Sequence, residues 1–354
     1  NKWVYDVHAY PKNAKVNVEK EVDDAQTPAV GSPISYTITA DVPDAPVVDY
    51  YNVVDQYDKR VDLPEGQIEL RMVEAKDGEV DLVKGDDYTL IPAVGKDGKT
   101  KFWTAEFTEA GRKKMIAQRK SNDTKIVMSL EGTLKEKIGD EGLVENKAIL
   151  LPGAPANNWT PGSGEVPPPD YPNAKVVSKF GKVTITKTSS VDDTKKLQGA
   201  EFQVYKCKPT TKPANNFESV DASLDTKLTV DGKDTFVTDD QGKVTIDGLR
   251  NNDWEDNEEV ADPGYYCLVE TKAPDGYELQ SRPIAFQILA SNSTDANKYT
   301  LETTVKDVPK NGGFNLPLTG AAGVGVLIGT GALLVAGSGA IVLANKRRKE
   351  QADA

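Results

Sequence analysis

Lys20 interrupts an otherwise apolar strand face. Through Val16-Asn17-Val18-Glu19-Lys20-Glu21-Val22 a two-residue period sets Val16, Val18, Lys20 and Val22 on one side and Asn17, Glu19 and Glu21 on the other. The same period groups Asp55 with Tyr51, Val53 and Tyr57, and Asn146 with Val144, Ala148 and Leu150. The pattern recurs further on: Lys187 follows Val183 and Ile185, Glu270 follows Tyr266 and Leu268, and Asp307 follows Leu301 and Val305. Amines, carboxyls and a carboxamide thus sit on faces that should be buried. Desolvation lowers a lysine's pKa and raises an acid's, so a neutral amine can meet a neutral acid in one pocket. In that state the amine can attack a side-chain carbonyl while the acid hydrogen-bonds it and moves a proton to the leaving ammonia or water. The fold supplies the proximity, and no external enzyme is needed. The plainer alternative is a buried ion pair that never reacts.

The elements that must hold these residues are strands. From Ala14 to about Leu151, short β-like runs alternate with turn signals such as Asp77-Gly78 and Asp97-Gly98, with one helix expected near Glu109 to Arg119. Residues 152–173 carry Pro-Gly-Ala-Pro, Pro-Gly-Ser-Gly and Pro167-Pro168-Pro169, and read as a domain boundary with a semi-rigid linker. A second β domain is expected over 174–311. Residues 1–13 include a strand-like run from Trp3 to Tyr10, ended by Pro11; it reads as the last strand of an N-terminal domain lying upstream of Asn1. The chain opens without an initiator Met or an apolar leader, so a removed or omitted signal peptide is also expected.

Residues 312–354 are of a different kind. Leu316-Pro317-Leu318-Thr319-Gly320 precedes an uncharged run from Ala321 to Ala344 and then Lys346-Arg347-Arg348-Lys349. A 24-residue helix would be about 36 Å long, enough to cross a hydrocarbon core of about 30 Å. The basic end belongs on the cytoplasmic side, which puts everything before it outside the cell. In an exported chain, Cys207 and Cys267 read as one disulfide rather than two reactive thiols. Net charge −12 and a pI near 4.8 argue against nucleic acid as a partner. The sole histidine, His8, has no nucleophile signature beside it, and two cysteines with one distant histidine make a poor metal set. The acidic run Asp253, Glu255, Asp256, Glu258 and Glu259 lacks the spacing and glycine of a calcium loop and reads as solvated. No metal and no cofactor is expected, and no enzymatic constellation is visible.

Four motifs carry a family resemblance. The order LPxTG, apolar helix, basic tail resembles a cell-wall sorting signal. Trp3, Val7 and Tyr10-Pro11-Lys12-Asn13 resemble the pilin motif W-x3-V-x-V-YPKN, with Ala9 in place of the second Val. Tyr266 to Tyr277 is similar to the E-box YxLxETxAPxGY at every specified position, and Leu197-Gln198-Gly199-Ala200-Glu201-Phe202 resembles the second strand of Cna-B-type domains. Together they resemble the sortase-assembled backbone pilins of Gram-positive bacteria. The resemblance implies an all-β fold of tandem immunoglobulin-like (Cna-type) sandwiches followed by a C-terminal transmembrane helix. It also implies a structural, non-enzymatic role as the shaft subunit of a wall-anchored pilus that supports adhesion. A pilus-specific sortase would cut after Thr319 and join it to Lys12 of the next identical subunit. Further partners implied are other pilus subunits, peptidoglycan through a housekeeping sortase, and a host surface receptor; membrane insertion would be transient. Two internal isopeptide sets are implied, Lys20, Asp55 and Asn146, and Lys187, Glu270 and Asp307. The family usually has Asn where Asp307 stands, so Asp307 would release water in place of ammonia, with Asn311 as the alternative. The competing reading is a monomeric wall-anchored adhesin whose Lys12 goes unused.

Overall fold

The computed structural model describes residues 16–137, 142–153, 159–289 and 299–310. Lys12, His8, Asn311, the Leu316–Gly320 pentapeptide and the apolar run from Ala321 to Ala344 lie outside them. No helix among the described residues is long and apolar enough to cross a membrane. Among the described residues the fold is all-β apart from one α-helix and one short 3-10 turn. It divides into two compact units: unit 1 holds the described residues as far as Gly181 together with Asp247–Ala261, and unit 2 holds Lys182–Ile246 and the described residues from Asp262 onward.

The strands through unit 1 begin with β1 (Val18–Asp23), β2 (Pro33–Asp41), β3 (Tyr51–Asp58), β4 (Val61–Asp62) and β5 (Ile68–Ala75). They continue with β6 (Gly78–Asp81), β7 (Tyr88–Val94), β8 (Thr100–Phe107), β9 (Lys125–Leu134), β10 (Leu143–Pro152) and the first part of β11 (Asn173–Ser189). One sheet runs β1-β2-β9-β5-β6, with β4 on β9, and the other runs β11-β10-β3-β8-β7. Their inner faces share one core, to which β1 contributes Val18 and Val22, β2 Ile34, Tyr36 and Ile38, β3 Tyr51 and Val53, and β10 Val144, Ala148 and Leu150. Strand β1 alternates buried and exposed along its whole length, as its sequence requires.

Strands β3 and β10 depart from alternation. Tyr51 to Asp55 are all buried, as are Ala148 to Leu151. The outward face carries a second apolar cluster of Val54, Phe102, Ile149 and Leu151, closed by Trp159. Trp159 comes from the Pro/Gly-rich stretch that reads as linker in the sequence. Its indole donates to Glu165 O at 2.7 Å, and Lys96 N donates to Gly164 O at 3.1 Å. Gly164 has φ +73°, and a Cβ there would meet Val94 O at 2.3 Å, so only glycine lets the stretch lie this close to β7.

Helix α1 (Glu109–Gln118) lies within one residue of its expected span. The Thr108 hydroxyl accepts from Gly111 N at 3.0 Å, an N-cap that fixes where the helix starts. Gly111 is forced by packing, since a Cβ would fall 1.9 Å from Asp87 O.

The acidic run is solvated, with Asp256, Glu258 and Glu259 exposed, but it is a hairpin and not an irregular loop. Trp254–Glu255 and Glu258–Glu259 form a two-stranded hairpin, turned by Asp256 and Asn257 at φ +51° and +64°. Asp256 N donates to Asp24 Oδ1 at 2.8 Å, and Asp24 N donates back to Asp256 Oδ1 at 2.9 Å. Asp24 is buried, which raises its carboxyl above the usual range against hydrogen bonds from Ser178 and Asp256 N and the charge of Arg250. Among the described residues no group of three or more His, Cys, Asp or Glu could hold a metal ion.

In unit 2 the second part of β11 pairs in parallel with the last strand. The intervening strands are β12 (Glu201–Pro209), β13 (Glu218–Ser219), β14 (Ala222–Lys227), β15 (Phe236–Val237) and β16 (Lys243–Arg250). After the hairpin strands β17 (Trp254–Glu255) and β18 (Glu258–Glu259) of unit 1 come β19 (Tyr265–Lys272), β20 (Ile284–Phe286) and β21 (Thr300–Asp307). One sheet runs β13-β20-β19-β12-β14 with β15 on β12; β11 has β21 on one side and β16 on the other. Cys207 on β12 and Cys267 on the neighbouring β19 are joined as a disulfide, with Cα atoms 5.7 Å apart.

Candidate functional site

In unit 1 the strand register sets Asp55 opposite Ala148 and Tyr57 opposite Asn146, so Asp55 and Asn146 project from the same face of adjacent antiparallel strands. Lys20 reaches them from β1 in the facing sheet, its Nζ 2.7 Å from Asp55 Oδ1, with both side chains wholly buried. Burial pushes the Lys20 amine down, against the pull of Asp55. Burial likewise pushes the Asp55 carboxyl up, against Lys20 and the Asn146 carboxamide. The two shifts run toward each other, which favours the neutral amine and neutral acid relative to the same groups in water, and a neutral amine is a nucleophile. Asn146 is 1 % exposed, and although its carboxamide lies near enough to Asp55 to draw that carboxyl down, neither of its polar atoms nor Asp55 Oδ2 closes a hydrogen bond of good geometry. Leaving a buried amide unpaired costs about 1–3 kcal/mol per group, so this is an expensive place to put one without a use.

Unit 2 brings its three residues together differently. Lys187 and Asp307 come from β11 and β21, parallel neighbours in which Lys187 is opposite Val305 and Ser189 opposite Asp307. Glu270 comes from β19 in the other sheet. Lys187 Nζ is 2.7 Å from Glu270 Oε1 and also contacts Asp307 Oδ1, and all three side chains are buried. Two carboxyls share one amine, and this stretches the proton count. Burial raises Asp307 to about 6, opposed by Lys187 and reinforced by the Glu270 charge. Glu270 is held from behind, its Oε2 accepting from Gln280 N at 2.7 Å.

Sequence periodicity therefore names the residues that meet, but misses their surroundings. Each lysine has an aromatic ring beside it: Tyr36, with its centre 5.1 Å from Lys20 Nζ, and Phe202, 5.4 Å from Lys187 Nζ. Both alternate with buried neighbours, Ile34 and Ile38 around Tyr36 and Ala200 and Val204 around Phe202, so they read as ordinary core. The end of the E-box has a second role that the sequence does not announce. Glu278 N donates to Val308 O and Lys310 N to Gly276 O, which ties the chain just after Asp307 to the E-box turn.

A family model described as the SpaA prealbumin-like fold domain matches residues 181–304. The chain is 42% identical over 368 residues to the fimbrial subunit type 1 of Actinomyces viscosus, covering 98% of this chain and 67% of that one. It belongs to the fimbrial-subunit family, the major pilins of Gram-positive bacteria. Among solved structures this pilin resembles the fimbrial protein FimP of Actinomyces oris, at 36% identity and a TM-score of 0.71, over 87% of this chain and 71% of that one. It also resembles the full-length major pilin SpaD of Corynebacterium diphtheriae, at 27% identity and a TM-score of 0.62, over 83% and 65%. The pilin thus spans about two thirds of the length of these relatives. They are structural proteins and not enzymes, and the chain is a pilus backbone subunit.

Proposed function

We propose that this pilin is polymerised covalently, from Thr319 of one subunit to Lys12 of the next, and anchored to the wall. The observation that carries the reading is the order Leu316-Pro317-Leu318-Thr319-Gly320, apolar run, basic cluster in a chain of the fimbrial-subunit family. A sortase cysteine would attack the Thr319 carbonyl and release Gly320 with everything after it. The Lys12 amine would then take the acyl group, forming one amide and regenerating the thiol. Pro317 keeps the pentapeptide out of helix and sheet ladder, and so available to a cleft. Ala321 to Ala344 would hold the precursor in the membrane until that cut, and the finished polymer would pass to peptidoglycan through a second sortase. Other pilus subunits and a host surface receptor complete the set of partners.

The same reading gives each unit, as a Cna-type immunoglobulin-like sandwich, one internal amide. In unit 1 Lys20 Nζ bonds to Asn146 Cγ and ammonia leaves; in unit 2 Lys187 Nζ bonds to Asp307 Cγ and water leaves. Asp55 and Glu270 are the acids that move the proton. What supports this is the complete burial of both lysines against acids, with an uncommitted carboxamide or a second carboxyl alongside. Fragment mass spectrometry of pilus digests should find Lys12 joined to Thr319, and Lys12→Ala should leave a folded, wall-anchored monomer. High-mass ladders persisting in that variant would give the acceptor role to another lysine.

A further inference from the structure

Strand β1, which carries Lys20, is the outermost strand of its sheet and pairs with β2 alone among the described residues. Asn146 is on β10 in the other sheet, and β11 lies beside β10 with Glu145 opposite Val177 and Asn146 opposite Val176. The turn of the acidic hairpin touches both sheets through two consecutive residues. The Asp256 carboxylate accepts from Asp24 N at 2.9 Å and Ala25 N at 3.2 Å, the two residues that follow β1, and Asp256 N donates to the buried Asp24 Oδ1 at 2.8 Å. The Asn257 carboxamide accepts from Val177 N at 2.8 Å, and the Trp254 indole donates to Val177 O at 2.7 Å, so the hairpin takes both main-chain groups of Val177. Lys179 Nζ lies over the Trp254 ring, 3.3 Å from its centre. The hairpin follows β16 in the chain, yet it belongs to unit 1.

A hairpin that merely reverses the chain needs two residues that tolerate a left-handed backbone, and glycine serves at either place. Asp256 and Asn257 instead commit their side chains to opposite sheets. A reaction between Lys20 and Asn146 needs the edge strand β1 held against β10 before any covalent bond does so, since a misplacement of about 1 Å can cost about a hundredfold in rate. We propose that Asp256 and Asn257 are positioning residues for the unit 1 linkage: they staple the end of β1 to β11 and so keep Lys20 at Asn146 until the amide forms. They touch none of the reacting atoms. The Nζ–Cγ bond forms as the Cγ–Nδ2 bond breaks, one proton of the neutral amine passes through Asp55 to Nδ2, and ammonia leaves. Once made, the amide does the work of the staple. Unit 2 has a sheet ladder in its place, because Lys187 and Asp307 are on strands already paired with each other.

This inference rests on the Lys20–Asn146 amide of the proposed function, and the test separates the two. The full chain is made by cell-free synthesis, and the linkage of each unit is followed over time by intact mass and by cross-linked peptides. Asp256→Gly and Asn257→Gly each release the side-chain grip at one end of the staple, at positions where glycine suits the backbone, φ +51° and +64°. Either should slow unit 1 linkage about tenfold, with unit 2 unchanged in the same molecule. The double variant should be little slower than either, because a staple open at one end joins nothing, whereas independent packing losses would multiply. Asp256→Asn keeps an oxygen for Asp24 N and Ala25 N and should link at close to the wild-type rate. Thr108→Ala removes the N-cap of α1, which destabilises unit 1 away from β1, β10 and β11, and should leave the rate unchanged. An unchanged rate in either glycine variant, multiplied losses in the double variant, no recovery in Asp256→Asn, or equal slowing of unit 2 or by Thr108→Ala overturns the staple. A folded wild type that never links Lys20 would instead overturn the amide itself, and the inference with it.

Discussion

The two units use one set of groups in two topologies. In unit 1 the lysine stands alone on its sheet and faces an acid and an amide on neighbouring strands of the other sheet. In unit 2 Lys187 and Asp307 are on neighbouring parallel strands, and only Glu270 crosses over from the other sheet. An amide in unit 1 would therefore join sheet to sheet, and an amide in unit 2 would join strand to strand within a sheet. The chemistry asks only that the three groups meet away from water, and either route achieves this. The proton inventories differ as well. Lys20 with Asp55 reaches the neutral pair by moving one internal proton, whereas Lys187 with two carboxyls needs one more proton from solvent before both acids are neutral.

The largest difference should follow from removing the acid. Asp55→Ala leaves Lys20 buried with no carboxylate and should cost unit 1 about 3–5 kcal/mol. Glu270→Ala leaves Lys187 with Asp307 and should cost unit 2 clearly less. Denaturant unfolding followed with a probe in each unit checks both, and equal losses would mean that the second carboxyl of unit 2 gives no cover. Next comes the disulfide, which closes a sixty-residue separation in unit 2 alone. Reducing it, or Cys207→Ser with Cys267→Ser, should lower unit 2 by about 4 kcal/mol on the loop-entropy model and leave unit 1 where it was.

The smallest effect is the sharpest test of the proton count. Linkage in unit 2 should slow about tenfold per pH unit above pH 6, as the extra proton on Asp307 is lost, while linkage in unit 1 stays flat through neutrality. The stability of unlinked unit 2 carries the same signature. Asp307 titrates at about 6 in the folded chain and near its ordinary 3.8 when unfolded, so between those values the folded form holds a proton that the unfolded form has released. Stability must then fall as pH rises through that window. A rise would place the shared proton elsewhere.

Much of this was readable from residue order alone. Lys20, Asp55, Asn146, Lys187, Glu270 and Asp307 each break an apolar alternation, and a strand's period of two leaves little freedom about where they point. Trp159 was not readable as a core residue, because the alternation that reveals a half-buried strand disappears when both faces are covered. Val54 and Ile149 then look like excess hydrophobicity, and the residue that explains them lies in a Pro/Gly-rich stretch. Nor could sequence pair Asp24 with Asp256, which are 232 residues apart and made neighbours only by the fold. The rings of Tyr36 and Phe202 were hidden for a third reason: their positions are ordinary core positions, and only the fold places a lysine amine beside each.

The parallel pairing of β11 with β21 bears on how unit 2 would carry tension. If force enters at the start of β11 and leaves after β21, the ladder between two parallel neighbours is loaded in shear, with its hydrogen bonds resisting together rather than opening one by one as in a zipper. An amide from Lys187 to Asp307 lies near the exit end of both strands. The load would run along the first part of β11, across that one bond and out past Asp307. The described residues of unit 2 between Lys187 and Asp307, including the disulfide and the E-box, would then stand beside the line of force and keep their fold without bearing it.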